Sequence, residues 1–212
     1  MRVGNVIAIA ADAQADLAME LAEFADGPHD WPGLGRRDPG ALRLVVVRDQ
    51  DAMRRYTDGR APSWGAALAF PSRRTILLRA DLGGLPLTLR HELAHLALHD
   101  AINVRVPLWF DEGYAGMAAG EWNRLDVLRL SWIVLRGRSP GLGQINAGLR
   151  GNAREAEDAY ALAMSAVLEL ARRVPGGDLA PLFERLEDAE QFDVALRAAT
   201  GLSAGQFEAE WQ

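Results

Sequence analysis

His91-Glu92-Leu93-Ala94-His95 puts two imidazoles and a carboxylate at the spacing by which a helix builds a metal site. Successive helical residues lie about 100° apart, so positions i and i+4 differ by only about 40° around the axis. His91 and His95 therefore point the same way, one turn apart, toward a single ion. Glu92 follows the first of them directly and reaches a metal-bound water rather than the metal. The chain has only 4 histidines in 212 residues, which makes the match specific. The plain alternative is a helix that happens to carry two surface or core histidines.

The pentad lies in a helix expected over Leu85 to Asp100, with Pro86 tolerable in its first turn. The chain before this helix reads as mixed. Val3 to Ile9 reads as a first strand, in preference to the short apolar core of a signal peptide. Ala13 to Ala25 has helical apolar spacing through Leu17, Leu21 and Phe24, ended by Gly27-Pro28. Trp31 to Gly40 is rich in Gly, Pro and Arg and reads as a loop. Leu42 to Val47 reads as a buried strand and Asp51 to Tyr56 as a short helix. Trp64 to Phe70 and Arg74 to Leu78 flank Pro71-Ser72 as a hairpin or tight strand connection.

The chain after the pentad reads as helical. Helices are expected over Trp109 to Ala119, closed by Gly120, and over Trp122 to Leu135. Gly137 to Gly151 reads as a loop. Glu155 to Val174 is a long helix, stopped by Pro175-Gly176-Gly177. Leu179 to Leu186, Phe192 to Thr200 and Ser203 to Trp211 are short ones, with Gly201 as a stop and Ser203 as an N-cap. The expected fold is α+β: a small N-terminal mixed sheet with helices, a zinc-site helix lining a central cleft, and a mainly α-helical C-terminal half. One domain over residues 1–212 accommodates this, with subdomains at approximately 1–102 and 103–212.

Composition narrows the chemistry. The net charge is -6, from 23 basic and 29 acidic side chains. The arginines come in dispersed pairs such as Arg54-Arg55 and Arg172-Arg173, so no nucleic-acid footprint is expected. No window resembles a membrane-spanning helix of about 20 apolar residues. Cysteine is absent, which removes thiolate nucleophiles and thiolate-bound metals. His, Asp and Glu remain as the strong side-chain ligands.

Catalytic zinc takes three protein ligands and keeps one position for water. Beside His91 and His95, the candidates for the third are His99, Asp100, Asp111 and Glu112. His99 lies about 6 Å further along the helix, too far for an ion that binds nitrogen at about 2 Å. It reads instead as a cation suited to the helix C-terminus. The motif that continues to a glycine and a third histidine fails, because those positions hold Leu98 and Ala101. Glu112 is the better third ligand. It lies in Leu108-Trp109-Phe110-Asp111-Glu112-Gly113-Tyr114-Ala115, where a loop through Asn103 and Pro107 turns the chain back. Asp111 could hydrogen-bond the far nitrogen of a ligand histidine.

The pentad with this second segment resembles the gluzincin zinc metallopeptidases, particularly the bacterial peptidase MA-like group. That group shows the pentad and then an Asn/Asp-Glu-Gly triplet whose Glu is the third ligand. Weaker likenesses lie in the Trp64 to Leu78 strand pair, in Pro107-Leu108-Trp109, in Ala159-Tyr160-Ala161, and in Gly201-Leu202-Ser203 with the terminal Phe207-Glu208-Ala209-Glu210-Trp211. The similarity covers most of the chain from about Leu42 onward. It implies a Zn2+ cofactor, a peptide or protein substrate, and hydrolysis by a zinc-activated water with Glu92 as general base. It favours Tyr160 as the donor to the developing oxyanion. Tyr114, two residues from Glu112 on one helix, would point largely away from the metal. By analogy with zinc peptidases, the Trp64 to Phe70 strand would pair with an extended peptide.

Two points limit the likeness. Thermolysin-like relatives carry an acidic residue four positions after the ligand Glu, where this chain has Gly116. The Gly-x-Met-Glu-Asn signature of the related aminopeptidases is absent from the sequence. Export or membrane tethering is implied by the resemblance alone; the sequence itself assigns no compartment. A non-catalytic zinc-binding or interaction module on the same scaffold is the alternative function.

Overall fold

The computed structural model describes residues 1–62, 64–121 and 140–212. The fold is α+β, a small mixed sheet with helices and then a mainly helical C-terminal half. The helix expected over Trp122 to Leu135 lies outside the described residues. The chain divides into two compact units: residues 1–31 with 35–100, and residues 32–34 with 101–212.

The first unit is built on strands β1 (Arg2–Val3), β2 (Val6–Ala10), β5 (Leu42–Val47), β6 (Ala67–Phe70) and β7 (Thr75–Arg79). Their order is β1-β2-β5-β7-β6, with β2, β5 and β7 parallel and the two outer strands antiparallel. Parallel strands are covered on both faces and read as apolar runs rather than alternations. Leu42 to Val47 is such a run, and every residue of β7 is buried. Below β5, Val45 and Leu77 meet Met53 and Ala61, with Phe70 packed against them. Met53 belongs to α2 (Gln50–Tyr56), whose N-cap Asp49 accepts a 2.8 Å hydrogen bond from the Ala52 amide. Arg79, only 9% exposed, donates to both Asp81 carboxylate oxygens, to Gln50 Oε1 and to the Gly65 carbonyl. That guanidinium holds the Asp81 carboxyl below its usual range.

Several local expectations are corrected. Val3 to Ile9 is two strands rather than one. Gly4 has φ of 49°, and the next amide, of Asn5, donates to Asp26 Oδ1 at 3.0 Å. A side chain at Gly4 would collide with the Asp26 carboxylate, so a distant acid fixes this turn. Helix α1 (Ala15–Ala25) buries Ala18, Leu21, Ala22 and Ala25, while Phe24 is 38% exposed. Small alanines let the helix lie close to the sheet, and the larger Phe24 is left at the margin. The supposed loop Trp31 to Gly40 holds the turn and second strand of a hairpin of β3 (His29–Trp31) and β4 (Gly35–Arg37). Gly33 and Gly35 have positive φ there, so the turn glycines shape strands that composition alone conceals. β6 begins at Ala67, three residues later than expected. β7 lies one residue later than the expected Arg74 to Leu78, and the two strands form the expected hairpin, with Phe70 opposite Thr75.

The second unit contains α4 (Leu108–Ala119), α5 (Leu142–Gly148), α6 (Ala153–Arg173), α7 (Ala180–Glu187), α8 (Phe192–Thr200) and α9 (Ala204–Trp211). Gly120 closes α4 with φ of 80°, Gly201 closes α8 with φ of 78°, and Ser203 caps α9 through the Gln206 amide. Helix α5 falls where a loop is expected. Its first amide, of Leu142, donates to Glu208 Oε2 at 3.0 Å. The cap comes from α9, far away in sequence. Trp109, Phe110, Tyr114, Phe183, Phe192 and Phe207 form the aromatic core of this unit.

Candidate metal centre

The helix carrying the pentad, α3, runs Leu85–Ala101. Gly84, with φ of 73°, leads into it and accepts from the Leu87 and Thr88 amides. Residues 91–94 and 96–98 are all buried. Most of this surface is Leu and Ala, so the helix is held by burial on several sides. His91 and Glu92 are each only 8% exposed. Polar side chains kept in such surroundings need partners or a function, because desolvating them is costly.

One helical turn brings the two imidazoles together, with ring centroids 4.9 Å apart and ring planes 69° apart. Their Nε2 atoms face each other at 3.2 Å. Two nitrogens bound to one zinc at about 2.05 Å and a tetrahedral angle would be about 3.3 Å apart. The two nitrogens thus already stand at a separation that one tetrahedral ion could bridge. Glu112 is half-buried on α4, between Asp111 and the small residue Gly113. One ligand atom from each of His91, His95 and Glu112 lies within 4.8 Å of the others, a group that could hold a metal ion. Two nitrogens and one carboxylate oxygen are a donor set that zinc accepts.

Helix α4 is set by its neighbours in the second unit. Its N-terminal Trp109 amide donates to Asn146 Oδ1 at 2.7 Å. A side chain at Gly113 would fall on the Ala163 carbonyl oxygen, and one at Gly116 would meet Met164 Sδ at 2.6 Å. Helix α6 thus crosses the Glu112-bearing helix at close range. This accounts for Gly116: the space that a side chain would need there is filled by Met164. The Glu121 carboxylate also reaches that spot, 3.2 Å from where a Gly116 side chain would start.

The remaining candidates from the sequence are spread over both units. His99 is exposed in the last turn of α3, and Asp100 is ion-paired with Arg74. Asp111 is in the first turn of α4. Tyr114 is fully buried between Phe110 and Phe183, and its hydroxyl donates to the Pro32 carbonyl at 3.0 Å. That hydroxyl serves the core of the second unit. Tyr160 is half-buried on α6, one turn before Ala163 and Met164, on the side of α6 that meets α4. His29 on β3 and Arg90 on α3 do not stand out in the sequence; both lie against Trp31, where the chain reads as loop. No helix among the described residues is long and apolar enough to cross a membrane. No family model and no curated protein matches the chain.

Proposed function

We propose that this protein is a zinc-dependent metallopeptidase whose metal is held by His91, His95 and Glu112. The observation that carries the reading is the convergence of those three donors, with the two Nε2 atoms at a separation suited to one tetrahedral ion. A zinc ion held by these three residues would supply an acidified water and a Lewis acid for a substrate carbonyl. Glu92, next to the first ligand and 8% exposed, accepts the proton of the attacking water and returns it to the leaving amine. Its shielding from solvent strengthens each electrostatic interaction it makes. Tyr160 donates its hydroxyl proton in a hydrogen bond to the oxygen that gains charge. The substrate class is a peptide or protein.

Metal binding is tested on the purified chain by metal analysis and thermal unfolding. One equivalent of zinc is expected to raise the unfolding temperature, and free zinc at a hundredfold excess over Kd adds about 2.7 kcal/mol. Chelator should reverse the gain, and His91→Ala should abolish it. A chain indifferent to zinc and chelator would mean that the pentad is a pair of ordinary core histidines. For the donor, Tyr160→Phe is expected to lower kcat about 100-fold with unchanged zinc affinity. An unchanged kcat would return Tyr160 to the packing of α6. Zinc uptake without peptide hydrolysis would favour a binding module.

A further inference from the structure

The β3–β4 hairpin carries a histidine that the peptidase reading does not use. The His29 ring lies between Phe24 and Trp31, 5.6 Å from each ring centroid. Its Nε2 is buried and has no hydrogen-bond partner among the described residues. Trp31, 4% exposed, is also the platform for Arg90, whose guanidinium carbon sits 4.7 Å from the indole centroid. The same guanidinium donates to the Asp30 carbonyl at 3.0 Å. Arg90 immediately precedes the ligand His91. Away from that grip, hairpin and helix flank a cavity of about 80 Å³ lined by Trp31, Arg37, Asp38, Leu93 and Ala97. Stacking of Arg90 on Trp31 and its bond to the Asp30 carbonyl thus tie the hairpin to the metal helix.

We propose that His29, Trp31 and Arg90 form an acid-sensitive latch, in which neutral His29 keeps the hairpin clamped on the metal helix and protonated His29 releases it. A proton on the buried Nε2 would be a donor without an acceptor. It would also place a cation beside an indole already stacked by Arg90. Burial pushes the His29 pKa below its ordinary 6.5, and the Arg90 charge pushes the same way. Its hydrogen bond to the Ala25 carbonyl and the Asp38 and Asp30 carboxylates act in the opposite sense, more weakly than burial. The folded chain thus binds this proton less readily than the unfolded chain, so the stability that His29 lends is present above about 6.5. It is lost as pH falls through the folded value. Arg90 is a positioning residue here. The latch stands by itself; its effect on zinc rests on the proposed metal site.

NMR of the metal-free full chain from pH 8 to 5 tests the latch, reading the His29 ring, the Trp31 indole N–H and the Arg90 side-chain N–H. Co-titration of all three below 6.5 is expected, together with a several-fold loss of amide-exchange protection in β3 and β4. In His29→Phe the Trp31 and Arg90 signals should stay flat. Should that variant not fold, co-titration in the wild type decides. Trp31 and Arg90 signals that ignore the His29 titration, or that still move in His29→Phe, would overturn the latch. Zinc affinity should fall more steeply with acid in the wild type than in His29→Phe. Equal slopes would overturn the link to the ligands. No zinc binding by either protein at pH 7.5 would overturn the metal reading and leave the latch intact.

Discussion

Glu92→Gln is expected to bind one zinc per chain and to cleave casein or a peptide library about 1,000-fold more slowly than the wild type. The substitution keeps shape and most hydrogen-bonding capacity but removes the proton acceptor. Glu92 adjoins His91 on a buried stretch of α3, and it is not one of the three converging donors. Metal uptake and hydrolysis should thus separate in this variant. The loss should appear in kcat, because general-base assistance is realised in the transition state. Unchanged hydrolysis with zinc bound would refute the mechanism. Parallel loss of zinc would make Glu92 a ligand or a support of one.

Gly113→Ala is expected to destabilise the second unit by about 3 kcal/mol, read as a lower midpoint in urea at unchanged slope. An added methyl would meet the Ala163 carbonyl oxygen and approach Val167 Cγ2 at 2.8 Å. The obstacle is backbone inside a 21-residue helix, so no side-chain rotation relieves it. The cost falls at the upper end of overpacking because α4 and α6 must separate along their crossing. Glu112 is the neighbouring residue, so zinc affinity should drop with stability. By contrast, Gly143→Ala, in α5 with nothing near its added methyl, should be neutral or slightly stabilising through helix propensity. Equal effects of the two would mean that no tight crossing exists.

Much of the chain was readable because its signals are local. β5 and α8 have the limits expected, and α3 ends one residue later. A β-branched run, a capping residue and a terminal glycine each act within a few positions. The pentad was readable for the same reason: one helical turn suffices to bring His91 and His95 together. The errors occur where a distant partner decides. Asp26 fixes the Gly4 turn, and Glu208 caps α5. Hairpin β3–β4 hides in a segment of Gly, Pro and Arg. Alanines, rather than Phe24, face the core from α1, since close approach rewards small side chains.

By itself the sequence determined that a helix would present two imidazoles on one side, that Glu92 would stand beside them, and that thiolates would play no part. These are consequences of helical pitch and residue chemistry, which need no tertiary context. Only the tertiary structure decided the rest. It brought Glu112 within 4.8 Å of both histidine nitrogens and engaged the Tyr114 hydroxyl with Pro32. It filled the space beside Gly116 with Met164 and buried an unpartnered His29 nitrogen next to the indole that Arg90 covers. Each of these depends on which surfaces meet, and contacts between residues far apart in the chain are set by packing rather than by spacing.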